Sequence, residues 1–526
     1  MADGKKIRSD DEQVLRLNKG KRGLLNLVFG RTSLIILLLA AQVLLMFGAF
    51  FRLGRLYYSF SFVSSVVVSL IVYNQVKKPA VKTTWIFLIM LAPVFSVPLY
   101  FFIETDLGHR LIRRRLVEIR EETRSLLPPD VASRETLRRR DPGTARLADY
   151  VYKINGQSIY RDTEVKYFPS GESVFEEMLE QIRQAEHFIF IEFFIIEEGY
   201  MWGRILSLLE EKLREGVEIR VIYDGTCAVA KVPYNYAKQL EAVGIPCKMY
   251  APLRPLVSTH YNNRDHRKIL VIDGQRAFTG GVNLADEYIN RKVLHGHWKD
   301  TAVMLHGRAV QSFTMMFLQM WNVDLGRGAE DYGKYLSVTQ PVAAEGYVMP
   351  YGDSPFDREP VAESVYMDIL NRATRYVHIM TPYLVIDDGL VTALTYAAKR
   401  GVEVKLMTPG VPDKKMVFAL TRSHYKELIS AGVQIYEYIP GFVHSKMFTS
   451  DDTTAVVGSI NLDYRSLDLN FECAAFLYES PAVADVERDM QETLAKCHRI
   501  TLEDIRKWSP LQKIKGWVLR PLAPLV

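Results

Sequence analysis

Two histidine–lysine pairs dominate the chemistry available to this chain. His266-Arg267-Lys268-Ile269-Leu270-Val271-Ile272-Asp273 is followed by Gly280-Gly281-Val282-Asn283, and His444-Ser445-Lys446-Met447-Phe448-Thr449-Ser450-Asp451 by Gly458-Ser459-Ile460-Asn461. Both fit H-x-K-x-x-x-x-D with a downstream G-[GS]-x-N. The two histidines stand 178 positions apart (444 against 266), and so do the two asparagines (461 against 283). Equal intervals point to duplication of a whole unit. Along a strand, residues two apart share a face, so an imidazole and an ammonium at this spacing can address one phosphate.

The elements that must hold these residues also come twice. A helical pattern at 172–183 leads into the apolar run 187–196, and one at 361–372 leads into 376–386. Each half continues with a helix, Gly-Val-Glu and a strand, at 216–223 and 401–408, then a helix closing at Gly244 or Gly432 and a further strand. Short β-branched strands alternating with amphipathic helices predict an α/β fold of two related lobes, each a β-sheet flanked by helices, over 161–330 and 331–526.

No charge interrupts the chain between Arg31 and Arg52, between Arg55 and Lys77, or between Lys82 and Glu104. At ~1.5 Å per residue each stretch could cross a hydrocarbon core of ~30 Å, so residues 1–107 are expected to form a transmembrane anchor of two or three apolar helices. Basic flanks (Lys5, Lys6, Arg8, Lys19, Lys21 and Arg22 before, Arg110 and Arg113 to Arg115 after) favour both ends inside. Three crossings cannot satisfy that. The irregular stretch would be either the middle one, with Ser59, Ser61, Ser64, Ser65 and Ser69, or the third, with Pro93 and Pro98. Residues 108–160, rich in arginine and glutamate with Pro128 and Pro129, read as a solvated basic linker helix, serving as a spacer or resting on anionic headgroups.

The net charge of +5, from 66 basic against 61 acidic side chains, does not suggest a dedicated nucleic-acid binder. Cys227, Cys247, Cys473 and Cys497 show no zinc-like spacing and read as reduced thiols of a cytoplasmic part. His295 and His297 lack a third metal ligand at a usable spacing, and His260 lacks a partner lysine, so none is assigned chemistry. The tail, with Trp508 and Trp517 among basic residues, suits either a membrane interface or packing on the second lobe.

The paired motifs resemble the phospholipase D superfamily, whose two copies meet at a lobe interface to form one site. The similarity narrows to bacterial cardiolipin synthases through Ile191-Glu192-Phe193-Phe194, Tyr223-Asp224-Gly225, Thr381-Pro382-Tyr383, Tyr436-Glu437-Tyr438-Ile439-Pro440-Gly441-Phe442 and Asn461-Leu462-Asp463-Tyr464-Arg465-Ser466 through Leu469-Asn470-Phe471-Glu472. It runs from about Lys78 to the C-terminus; Asp265 stands where an asparagine is common. The resemblance implies that one neutral imidazole attacks phosphorus, giving a phosphatidyl-histidine, and that the other, protonated, serves the departing alkoxide. By analogy with two-lobed relatives His266 is the nucleophile and His444 the acid, then base. Lys268, Lys446, Asn283 and Asn461 would hold the phosphate oxygens without a metal. Asp300 and Glu472 would orient the histidines. Asp273 and Asp451 complete the motifs, as catalytic groups or as braces at the far strand end.

The reaction so implied is transfer of a phosphatidyl group between two phosphatidylglycerol molecules with release of glycerol, needing no cofactor, in a multi-pass protein of the bacterial cell membrane whose lobes face the cytoplasm. The absence of a G-x-x-x-x-G-K-[ST] loop fits an exchange that consumes no nucleotide. Alternatives are a phospholipase D-type hydrolase and a phosphatidyltransferase for another alcohol. Expected partners are anionic phospholipids and the bilayer, with an oligomer left open and no nucleic acid.

Overall fold

Strands form where β-branched and aromatic residues cluster. In the first lobe these are β1 (Thr163–Phe168), β2 (Phe188–Phe193), β3 (Glu218–Asp224), β4 (Cys247–Tyr250), β5 (Arg264–Asp265), β6 (Lys268–Ile272), β7 (Arg276–Gly280), β8 (His297–Lys299) and β9 (Ala302–Gly307). The second lobe supplies β10 (Tyr347–Asp353), β11 (Tyr376–Met380), β12 (Leu384–Val385), β13 (Glu403–Pro409), β14 (Gln434–Tyr438), β15 (Gly441–Val443), β16 (Met447–Ser450), β17 (Thr454–Gly458), β18 (Leu462–Asp463), β19 (Asn470–Tyr478) and β20 (Cys497–Ile500). This computed structural model describes residue 44 and residues 54–105, 107–252, 263–323, 330–357 and 359–525.

The sheet order is β1-β9-β7-β6-β2-β3-β4 in the first lobe and β10-β19-β17-β16-β11-β13-β14-β20 in the second. Apart from the added edge strand β20, the two orders correspond strand for strand, which gives the repeat read from the motifs a structural form. Central strands β2 and β6 are buried on both faces, as expected where helices cover both sides of a sheet. Matching crossover helices, Tyr200–Arg214 and Asp388–Lys399, are followed by Gly216 and Gly401 with φ of 92° and 97°, a left-handed conformation that glycine adopts without a Cβ clash.

Side chains of β6 alternate between two cores. Leu270 and Ile272 join a first-lobe core with the helix Gly171–Arg183, while Ile269 and Val271 join one that also contains Met447, Val457, Cys473 and Ala475 of the second lobe. The lobes therefore share a hydrophobic core, with the buried helix Val310–Trp321 in it. Two short parallel pairings tie them further: β5 runs beside the start of β19, and β8 beside β15. These ties are related by the repeat, since Arg264 opposite Asn470 corresponds to Phe442 opposite Trp298. A buried ion pair, Lys299 Nζ to Asp489 at 2.6 Å, adds a polar clamp that also takes the Tyr167 hydroxyl, 2.5 Å from Asp489.

Two sequence expectations need correction. Residues 108–160 do not form a solvated linker: they fold as Leu107–Thr123, Val131–Arg140 and Pro142–Asn155, and Leu137, Ala145, Ala148 and Val151 enter the second-lobe core. Arg134 and Arg138 pair with Asp149, which hides the apolar spacing behind a charged surface. The third uncharged stretch is not one crossing helix but two of thirteen residues each, Pro79–Leu91 and Pro93–Thr105, because proline after Ala92 breaks the hydrogen-bond ladder. No helix among the described residues is long and apolar enough to cross a membrane. Apart from Leu44, the first stretch, between Arg31 and Arg52, lies outside the described residues, as does His260.

Residues 54–78 and 85–105 form a small unit of their own, and 79–84 belong with the lobes. In the small unit Trp85 and Tyr100 meet edge to face at 5.2 Å, and the Ser65 hydroxyl returns to Ser61 O at 2.7 Å, satisfying a polar group within its helix. Phe60, Phe62, Leu70, Met90 and Leu91 are exposed. All four cysteines are free thiols, as expected.

Candidate active site

Lys268 opens β6, and Met447 opens β16 directly after Lys446. In the first motif the His266 backbone N–H donates to Phe471 O at 2.9 Å; in the second the His444 N–H donates to Lys299 O at 2.7 Å. Each histidine is thus anchored on the opposite lobe, one residue before the carboxylate that will hold its ring.

The carboxylates complete the exchange. Glu472 of the second lobe lies with both oxygens 2.9 Å from His266 Nδ1, and Asp300 of the first lobe has Oδ2 2.6 Å from His444 Nδ1. A carboxylate on Nδ1 fixes the tautomer and ring orientation and presents Nε2 for chemistry. Both carboxyl groups are fully buried, and the rings are 8% and 7% exposed, enough for contact at one edge. Lys268 and Lys446 are 1% exposed, and each ammonium donates to the carbonyl of its own histidine, Lys268 at 2.5 Å. Their charges reach both rings: Lys446 acts on His266 and Lys268 on His444.

Burial and these lysines hold His266 well below the usual imidazole range and bring His444 to about 3, so both rings are neutral before substrate arrives. Burial also lowers Lys268 to about 8 and Lys446 to about 7. The two carboxylates differ. Burial pushes Asp300 up, but His444, Lys446 and the Thr301 N–H outweigh it and hold the group below the ordinary carboxylate value. Burial lifts Glu472 to about 7 against the pull of Lys268 and Ser459. The His444–Asp300 pair is therefore better suited to carry a positive ring than the His266–Glu472 pair.

Several neighbours carried no assigned role in the sequence reading. Phe194 meets the His266 ring edge to face at 4.8 Å, while Tyr288 and Trp298 lie 5.3 Å from the His444 ring, walls that exclude water. Lys414, at the head of the helix Lys415–Ser430, acts on His266 and sits 5.1 Å over the Tyr383 ring. Ser459 occupies the variable G-[GS] slot. Its hydroxyl donates to Glu472 Oε2 and accepts from Cys473 N at 3.1 Å. At the matching Gly281, an added Cβ would lie 2.0 Å from Asp300 Oδ1, so that slot must be empty. The slot's two residues thus follow the size and position of the carboxylate beside it.

Ser459→Ala is expected to lower kcat/KM by about tenfold, the usual scale for losing a group that holds a catalytic partner. Because the Ser459 hydroxyl lowers the Glu472 pKa, its loss should also move the acid limb of the kcat/KM profile to higher pH. An unshifted limb would mean that Glu472 does not govern it.

Asp273 and Asp451 do not reach this site. Asp273 takes the backbone N–H groups of Glu186, His187 and Phe188 at 2.7–2.8 Å, and Asp451 those of Thr374, Arg375 and Tyr376 at 2.7–2.9 Å. Both sit at the far end of their strands with φ of 52° and 53°, and five strand residues at ~3.3 Å each separate Asp273 from Arg267. They are braces, which corrects a catalytic assignment. Asn283, expected on phosphate, has its amide committed to the lobe, accepting from Ile195 N at 3.1 Å and donating to Tyr288 at 2.7 Å. Asn461 differs, since its buried Oδ1 has no hydrogen-bond partner among the described residues. Asp265, the departure noted in the motif, pairs with Arg267 at 3.2 Å, and Arg267 also pairs with buried Glu192 at 2.5 Å. His297 bonds the Tyr438 hydroxyl at 3.1 Å.

The family model described as "Cardiolipin synthase, PLD-like domain" matches residues 178–321 and 366–494. The chain is 30% identical to cardiolipin synthase 2 of Bacillus anthracis over 475 residues, covering 88% of this chain and 90% of that protein. It is also 30% identical to a cardiolipin synthase of Geobacillus kaustophilus over 506 residues, covering 94% and 99%. An uncharacterized protein of Streptococcus mutans is 47% identical over 444 residues, 84% of this chain and 96% of that one. Among solved structures, phosphatidylserine synthase of Haemophilus influenzae superposes with a TM-score of 0.54 at 14% identity, covering 73% of this chain and 99% of that chain, a likeness of fold.

Proposed function

The chain belongs to the cardiolipin synthase family of phospholipase D-like proteins and is a phosphatidyltransferase, and on that premise we propose that it joins two phosphatidylglycerol molecules into cardiolipin through an adduct on His266. The observation that supports this reading is the pair of crossed histidine–carboxylate contacts, His266 with Glu472 and His444 with Asp300, which gives the two imidazoles unlike carboxylates.

The phosphodiester of the first phosphatidylglycerol brings one negative charge between Lys268 and Lys446, with Asn461 as a further donor. That charge offsets the lysine repulsion on the rings, and ionised Asp300 favours a proton on His444. His266 Nε2 attacks phosphorus, the bond from phosphorus to the glycerol oxygen breaks, and the His444 proton passes to that oxygen. After glycerol leaves, His444 takes the proton from a hydroxyl of the second phosphatidylglycerol, whose oxygen displaces His266 from phosphorus. One phosphodiester replaces another, so no nucleotide is required and lipid concentrations set the direction.

The apolar surface of residues 54–105 and the uncharged stretch before it would seat the enzyme in the bacterial cell membrane, and the basic flanks favour lobes on the cytoplasmic side. Purified full-length protein given labelled phosphatidylglycerol alone, without metal or nucleotide, is expected to release glycerol and form cardiolipin in equal amounts. Phosphatidic acid as the sole product would replace this reading with a hydrolase.

The profile of kcat/KM against pH should be a narrow bell near neutrality. Glu472 must be ionised to hold His266, so activity rises as pH climbs through about 7, and Lys446 and Lys268 must both be charged, so activity falls as pH climbs from about 7 to about 8. An alkaline limb near the ordinary lysine value of 10.5 would contradict the burial argument.

A further inference from the structure

The C-terminal helix Pro510–Leu519 begins with a capping box between Ser509 and Gln512 and has Pro510 at its first position, so it starts firmly. It packs on the helix Lys415–Ser430 through Gly516, where an added Cβ would lie 3.0 Å from Ala419 O and Ser423 Cβ. Upstream, Trp508 packs on Tyr425, with ring centroids 6.0 Å apart. These contacts occupy one side of the tail. Leu511, Ile514, Trp517 and Val518, at helical spacing, face outward with exposures of 62%, 55%, 78% and 53%. A four-residue apolar stripe this exposed is a docking surface, since scattered single residues are the norm on a soluble face.

We propose that this stripe lies in the interface of an anionic phospholipid bilayer and delivers lipid to the catalytic lobes, an inference that rests on the phosphatidyltransferase reading for its substrate. Charge selects this occupant. Residues 505–526 contain Arg506, Lys507, Lys513, Lys515 and Arg520 and no acidic residue; Lys507 pairs with Glu503 and Arg520 with Glu427, so Arg506, Lys513 and Lys515 carry the charge argument. Basic side chains beside Trp and Leu are what an interfacial helix requires. The tail is also fixed to the lobes, since Pro521 O accepts the Thr84 hydroxyl at 2.7 Å. The helix beneath it starts beside Lys414, whose charge reaches His266, and carries exposed Met416.

The test uses the full chain reconstituted in vesicles of phosphatidylglycerol and phosphatidylethanolamine, with phospholipids brominated on the acyl chain as quenchers of tryptophan emission. The wild type should lose more emission than Trp517→Phe, the difference being the quenched Trp517 signal. A difference of zero overturns the proposal, and so does a Trp517 signal shielded instead by a cross-linkable second copy. In turnover, Lys513→Gln with Lys515→Gln should raise KM for vesicular phosphatidylglycerol by about fivefold per lysine, on the scale of one basic residue at an anionic surface. The rate with phosphatidylglycerol in neutral detergent micelles should stay unchanged. An equal loss in micelles would mean a folding defect or a role in the catalytic site, and would overturn the proposal. Quenching needs no turnover, so it decides the docking surface even if cardiolipin is not the product.

Discussion

His266→Asn is expected to reduce phosphatidyl transfer by on the order of 10⁶-fold, the scale of removing a covalent nucleophile. His444→Asn should cost ~10²–10⁴-fold with phosphatidylglycerol, the scale of a general acid. The two losses can be told apart by the leaving group. With a p-nitrophenyl ester of phosphatidic acid, whose phenolate departs without a proton, the His444 variant should recover a burst of nitrophenol and the His266 variant should not. The asymmetry follows from the carboxylates. Asp300 is held ionised beside His444, whereas burial keeps Glu472 near half-protonation beside His266. A burst from the His266 variant alone would reverse the roles.

The second large effect is expected at a residue on the other lobe from the ring it serves. Asp300→Asn should lower kcat by ~10²–10⁴-fold, no more than loss of His444 itself, with little change in KM, because an amide leaves His444 in the wrong tautomer while the phosphate site stays whole. Gly281→Ala should act in the same direction, since its Cβ would fall 2.0 Å from Asp300 Oδ1. Both variants should leave the nitrophenol burst at His266 largely intact. If Asp300→Asn instead abolished the burst, the crossed pairing would be wrong. Measuring kcat and KM together, with thermal unfolding as a control for folding, makes the distinction.

The catalytic groups were legible because a repeat makes its own statistics: His and Lys recur at one interval, and the sheet orders recur with them. The crossed pairing was not legible. Asp300 and Glu472 stand 172 positions apart, against 178 for the histidines, and which carboxylate meets which ring depends on the short pairings of β5 with β19 and of β8 with β15. Strands of two or three residues, such as β5, β8 and β15, carry no periodic signal. Asp273 and Asp451 could be ranked only as far-end residues until their backbone partners were seen. At the third apolar stretch the prolines named it as one of two candidates for irregularity, and hydropathy could not say which; the helix breaks before Pro93. The arginines of 108–160 misled in the opposite sense, since salt bridges such as Arg134 with Asp149 coat helices whose other faces are buried. In the tail Trp508 packs on the lobe, while Trp517 is exposed, which leaves it open to the proposed bilayer contact.

The most direct test of the account is to find the covalent intermediate. Full-length protein mixed with phosphatidylglycerol labelled on phosphorus, quenched within one turnover under alkaline conditions that preserve phosphohistidine, and digested for peptide mapping should carry label on His266. The label should appear together with one equivalent of free glycerol and disappear on addition of a second portion of phosphatidylglycerol. Label on His444, or glycerol released with no labelled histidine at any time, would contradict it.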